Sequence, residues 1–231
     1  MKRFYGSTSA RVTDDGVVVH LDDRPVRTPG KRLLAVPTQD LGEAIADEWA
    51  SQGDEIAPAS MPLTELASTA LDHVGPNRAA VVEATAAYGR SDLLCYRADQ
   101  PQALVDRQTE AWEPPLEWFQ DRHGIALATT VGIMHLAQAP EAIAAMDRTV
   151  AGHDDWRLAA LSLATARLGS LVLAIGLIDG RFDAAEAMAL AHLDEDFQIE
   201  RWGQDDEAMA RRAGIAAEVA SARRLVDLLK T

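Results

Sequence analysis

The 231-residue chain carries 36 acidic side chains against 22 Lys and Arg, a formal net charge of −14, and 48% of its residues are apolar. That is enough apolar surface for a real core, which excludes a disordered tail, and the acidic balance opposes nucleic acid and anionic lipid. A single cysteine, Cys95, excludes an internal disulfide and, with no Cys/His cluster at zinc spacing, a zinc-stapled fold; a reducing cytoplasm is the expected compartment.

The N-terminal "MKRFYGSTSARV" has no apolar signal core and leads directly into strand-like sequence. Val12, Val17 to Leu21 and Leu33 to Val36 form β-branched or alternating runs, separated by the turn sequences "DDG" and "DDRP". These predict a small antiparallel sheet. Leu41, Ile45 and Trp49 then recur every four residues behind a capping Thr38, which predicts an amphipathic helix with Trp49 in the core and Glu48 and Gln52 at its rim. "PASMPLTELASTALDHVGPN" reads as loop, short helix and turn, and Asn77 opens a further helix.

"DLLCYRA" predicts a short buried strand in which Cys95 is a structural thiol. A helix follows from Pro101 to about Trp112, and Pro114 and Pro115 are expected to restart it as a second piece through Trp118 and Phe119. "GIALATTVG" is a strand-like interruption after His123. Helices are then expected around Glu141 to Val150, Asp154 to Ile178, Asp183 to Trp202 and Asp205 to Leu229, with short connections that favour antiparallel neighbours. The stretch Trp156 to Ile178 is long enough to span a bilayer, but Arg167 in its middle favours a buried helix over membrane insertion. The fold class is α+β: a small β-containing domain over 1–90 and a larger helical domain over 91–231.

The segment "LDEDFQIERWG", Leu193 to Gly203, lies in the chain's most acidic region: residues 183 to 207 hold nine Asp or Glu against the single Arg201. His192, Asp196 and Glu200 are spaced to share a helix face and could approach a hard cation, but one helix supplies too few ligands. No Gly-rich phosphate loop, nucleophile elbow or other catalytic constellation accompanies the acids, so neither metal nor cofactor is expected. Phe197 and Trp202, ringed by carboxylates, could instead anchor a partner protein with a basic rim, although both aromatics are most simply core residues. Glu200, at the edge of the apolar stripe, is expected to matter most.

Stretches in a fixed order along the chain, "KRFY", "LDDRPVRTP", "VPTQDLGEAIADEWASQ", "MPLTELASTALD", "DLLCYRA", "RQTEAWEPPLEW" and "LDEDFQIERWG", together resemble the assembly chaperones of the F-type ATP synthase that bind the free alpha subunit of its catalytic head. The resemblance implies a protein without enzymatic activity, monomeric when free, that masks the beta-contacting surface of the alpha subunit until assembly. It implies partner-binding roles for Glu48, Trp49, Asp194, Glu195, Asp196, Phe197, Glu200 and Trp202, and no cofactor. Eukaryotic members of that family carry a mitochondrial presequence, whereas "MKRFYG" suggests a bacterial cytoplasmic member. Two other readings stay open on the residues alone: an acidic helical adaptor for another basic-faced protein, and an enzyme acting on a small cationic molecule.

Overall fold

The structure, a computed structural model, describes residues 1–230. It has the expected α+β class, a small strand-containing N-terminal region and a larger helical part. The chain forms two compact units: one comprises Met1–Arg78, Asp154–Ala160 and the chain from Ser221 on, the other Ala79–His153 and Leu161–Ala220. A single division at 90/91 does not describe this partition.

In the first unit, β1 (Thr8–Thr13) and β2 (Gly16–Leu21) form a hairpin through Asp14 and Asp15. The far edge of β2 pairs with β3 (Arg24–Pro25) and β4 (Ala35–Val36), both antiparallel. Val17, Val18 and Val19 are all buried, so central strand β2 is covered on both faces and loses the simple alternation of a half-exposed strand. Helix α1 (Gln39–Ala50) packs on the hairpin, its first turn capped by Thr38 as expected.

Gly42 allows that approach: a Cβ there would stand 2.4 Å from Val17 Cγ1 and 3.3 Å from Ala10 Cβ. Gly42→Ala should therefore lower stability by about 1–3 kcal/mol, even though alanine is the better helix former. A thermal melt checks the sign, and a rise in melting temperature would contradict the packing.

The second unit is helical except for a short parallel pair, β5 (Tyr96–Arg97) with β6 (Thr130–Val131). "DLLCYRA" thus begins as a 3-10 turn at Leu93–Cys95 rather than as strand. Asp92 causes this, since its carboxylate accepts the Leu94 amide and bends the chain locally. Helix α4 (Gln102–His123) runs unbroken through Pro114 and Pro115, contrary to the expected restart. The prolines fix φ at a helical value, and the stripe Gln108, Trp112, Pro115 and Phe119 is buried along one face, which offsets the hydrogen bonds they remove.

The remaining helices are α5 (Pro140–Ala151), α6 (Asp155–Leu168), α7 (Leu171–Asp179), α8 (Ala184–Ala191), α9 (Leu193–Trp202) and α10 (Asp206–Leu228). Two expected long helices are each divided. Gly169 takes φ +65° and Ser170 caps α7 by accepting from Leu173 N, which ends α6 before the apolar run. His192 interrupts the acidic stretch between α8 and α9. Residues Leu171 to Ile178 are all buried, and no helix among the described residues is long and apolar enough to cross a membrane.

Candidate functional site

Two pairs of sequence motifs turn out to be physical neighbours, and they decide which side chains remain available. In the first unit, Glu48 of α1 reaches helix α2 (Pro62–Thr69), whose own N-cap, Met61, offers no side-chain hydrogen bond. Glu48 Oε1 accepts from Leu63 N at 2.7 Å, and Oε2 accepts from Thr64 N and Thr64 Oγ1, both at 2.8 Å. A carboxylate from another element thus satisfies the orphan amides at a helix N-terminus, where the helix dipole also favours it. Glu48 is consequently buried, not at the rim, and so is Gln52, which bonds Ala57 N and Ser60 Oγ. Both oxygens of the Glu48 carboxylate are thus engaged within the chain.

The carboxylate's neighbour has the opposite fate. Trp49 is only half-buried; its ring meets Tyr5 edge-on at 5.9 Å and lines an apolar cavity of about 780 Å³ with Leu34, Ile56 and Met61. The four-residue periodicity assigned Trp49 to the core and Glu48 to the rim. The structure buries Glu48 and leaves Trp49 half-buried, because α2 supplies donors on the Glu48 side, a tertiary fact that spacing along α1 does not contain.

In the second unit, α9 rests on α4. Gln108 Nε2 donates to Asp194 Oδ1 at 2.7 Å, Trp112 Nε1 to Leu190 O at 2.9 Å, and Arg107 holds Glu200 bidentately at 2.8 and 2.9 Å. Asp196 is engaged by both terminal nitrogens of Arg212 on α10. These guanidinium bonds favour the ionised carboxylates and hold the pKa of Glu200 and Asp196 below the ordinary carboxylate range. Phe197 is buried under two cations, with Arg201 at 4.2 Å and Arg107 at 5.4 Å from its ring centre.

His192, Asp196 and Glu200 therefore do not form a cation site. His192 Nδ1 lies 3.1 Å from Met188 O, and each acid faces its own arginine. Among the described residues no group of three or more His, Cys, Asp or Glu could hold a metal ion. Cys95 is fully buried, and burial followed by the Asp92 carboxylate pushes its thiol up to about 12, so it is not a ready nucleophile.

Glu195, Gln198, Glu200, Arg201 and Trp202 are the exposed residues of α9, and Glu195, Gln198 and Trp202, spaced three and four residues apart, share one side of it. Trp202 is 77% exposed, which overturns its expected place in the core, while Phe197 keeps that place. Residue spacing could have separated the two aromatics, because Phe197 follows Leu193 by four residues and Trp202 does not continue that stripe. Nothing in the spacing could have revealed that Glu200 already has an arginine from α4.

Compared with known proteins, residues 2–120 match the sequence profile of the ATP12 chaperone protein family. The chain belongs to the ATP12 chaperone family. It is similar over nearly its whole length to solved structures: Atp12 from Paracoccus denitrificans (40% identical, 99% of this chain and 98% of that one, TM-score 0.95) and a chaperone candidate from Agrobacterium tumefaciens (40% identical, 99% and 86%, TM-score 0.95). The mitochondrial protein atp12 of Schizosaccharomyces pombe is 23% identical over 219 residues, which cover 90% of this chain and 75% of that protein. ATP12 membership agrees with the family expected from the ordered sequence motifs, that of F-type ATP synthase assembly chaperones. Within the ATP12 framework the paired motifs acquire a shared physical role: one member of each pair braces the other.

Proposed function

We propose that the protein binds the free alpha subunit of the F-type ATP synthase catalytic head and masks its beta-contacting surface until assembly, without performing chemistry of its own. The observation that carries this reading is the α9 face, where Trp202 stands 77% exposed on the same side as Glu195 in the most acidic region of the chain. An exposed indole flanked by carboxylates suits an apolar site with a basic rim, the aromatic supplying contact area and the charges orienting the encounter. In this reading Asp194, Asp196 and Glu200 hold α9 in place, Phe197 anchors it from beneath, and Glu48 braces the helix that carries Trp49. Membership of the ATP12 family supports the chaperone class, and the fission yeast relative, mitochondrial by name, is consistent with such a client.

Copurification from cells with identification of the bound polypeptide tests the client, and charge variants test the face. Glu195→Lys should weaken capture of the alpha subunit by roughly fivefold to tenfold, more than the loss of a single rim charge, because it also repels a basic rim. Glu200→Gln should weaken capture less, since that carboxylate is already occupied by Arg107. Equal capture by wild type and Glu195→Lys, or an unrelated polypeptide in the copurified complex, would remove the reading.

A further inference from the structure

The segment Gly124 to Ala139 contains no Asp, Glu, Lys or Arg in a chain that is 25% charged. Its tip carries the two most exposed large apolar side chains of the second unit, Ile133 at 96% and Met134 at 78%, with Val131 beside them at 62%. Adjacent apolar side chains left in water on an uncharged loop cost solubility and add nothing to a core, so they mark a surface that is covered in use.

The loop base is built to hold that tip. Gln138 is buried, and its side chain satisfies both backbone groups of Ala128: Nε2 donates to Ala128 O at 2.9 Å and Oε1 accepts from Ala128 N at 2.8 Å. Ile125 is buried at the entry, and the first side of the loop pairs with β5 through Tyr96 with Thr130 and Arg97 with Val131. Gly132 N then donates to Arg97 O at 2.8 Å. A compact loop whose ends are pinned in this way presents its apolar residues with little ordering cost on binding.

The loop is also connected to the acidic helix. Ala98, next to β5, donates its amide to Gln108 Oε1 at 2.7 Å, and the other end of the same buried amide, Gln108 Nε2, bonds Asp194 in the first turn of α9 at 2.7 Å. One side chain of α4 thus holds the chain beside β5 beneath the loop on one side and the acidic helix α9 on the other.

Resting on the client reading above, we infer that the Val131, Ile133 and Met134 tip is a second anchor for the same client, inserting into an apolar depression of the alpha subunit beside the basic rim that meets α9. The pairing of an uncharged apolar anchor with an acidic face is the core-and-rim division of a specific interface. The loop's occupant is the client polypeptide, not a second copy of this chain and not a lipid surface.

The test uses the full chain with Ile133→Ser and Met134→Ser together, changes that remove apolar area without adding charge. Because both side chains are exposed, the melting temperature should not change. Binding of free alpha subunit, and suppression of its aggregation, should weaken by roughly tenfold or more, the scale of an interface hot spot. Light scattering of the chaperone alone and sedimentation with phosphatidylglycerol vesicles should be the same for variant and wild type. Undiminished protection of the client by the double variant would overturn the inference while leaving the client reading intact. So would a wild-type dimer that dissociates in the variant, or vesicle binding lost in it, with client protection unaffected. A wild-type protein that fails to protect the alpha subunit would instead remove the client reading, and this inference with it.

Discussion

Replacing Asp92 by alanine is expected to be among the most damaging single substitutions in the second unit. The carboxylate is fully buried and joins two elements, accepting from Leu94 N at 3.1 Å in the 3-10 turn and from Val172 N at 3.1 Å at the start of α7. Truncation leaves both amides buried without an acceptor, each worth about 1–3 kcal/mol, for an expected loss of about 2–6 kcal/mol. That is a large part of a typical domain's stability. Burial outweighs these hydrogen bonds and raises the Asp92 carboxyl above its ordinary value. A raised native value means the folded state binds the proton more readily, so this group's contribution is fully present below the unfolded carboxylate range and is lost as pH rises through the native one. Denaturant melts of wild type and Asp92→Asn across that range should differ in slope. Equal slopes, or an Asp92→Ala protein as stable as wild type, would show that the carboxylate holds neither element.

Trp202→Ala should produce the complementary result, a large loss of binding with no loss of fold. With the indole 77% exposed, its removal uncovers no core. In the proposed alpha-subunit interface its loss should cost about 2 kcal/mol or more, roughly a thirtyfold weakening. Calorimetric titration beside a melting curve separates the two quantities. A variant that binds as wild type, or one whose binding falls only because it unfolds, would remove Trp202 from the interface.

The contrast between Trp202 and Trp49 shows what the sequence could and could not convey. The first hairpin, the Thr38 cap and the start of α1 were legible because turn chemistry, cap preference and a four-residue stripe act within a few residues of chain. The continuity of α4 through Pro114 and Pro115 was not, because it depends on the buried face Trp112, Pro115 and Phe119, a tertiary condition that overrides a local breaker. The division of the apolar run was partly legible: Gly169 followed by Ser170 is a stop and a cap, masked by the length of the hydrophobic stretch around it. The acidic helix was recognised as unusual by its charge density. Sorting its acids needed Arg107 and Arg212, 93 and 16 residues from their partners, and spacing within one helix says nothing about either.

The discontinuous first unit has a consequence for how this protein is made. Its sheet and first helices leave the ribosome early, yet the unit also includes Asp154–Ala160 and the chain from Ser221 on, with Leu225 and Val226 buried and Thr38 Oγ1 donating to Leu228 O at 2.6 Å. The earliest part synthesised must wait for the last part before its surface can be closed, and such long-range closure is slow compared with local helix formation. A protein whose family protects unassembled partners therefore passes through its own period of incomplete burial, and a nascent chain stalled before Ser221 should remain open to proteolysis in its N-terminal segment.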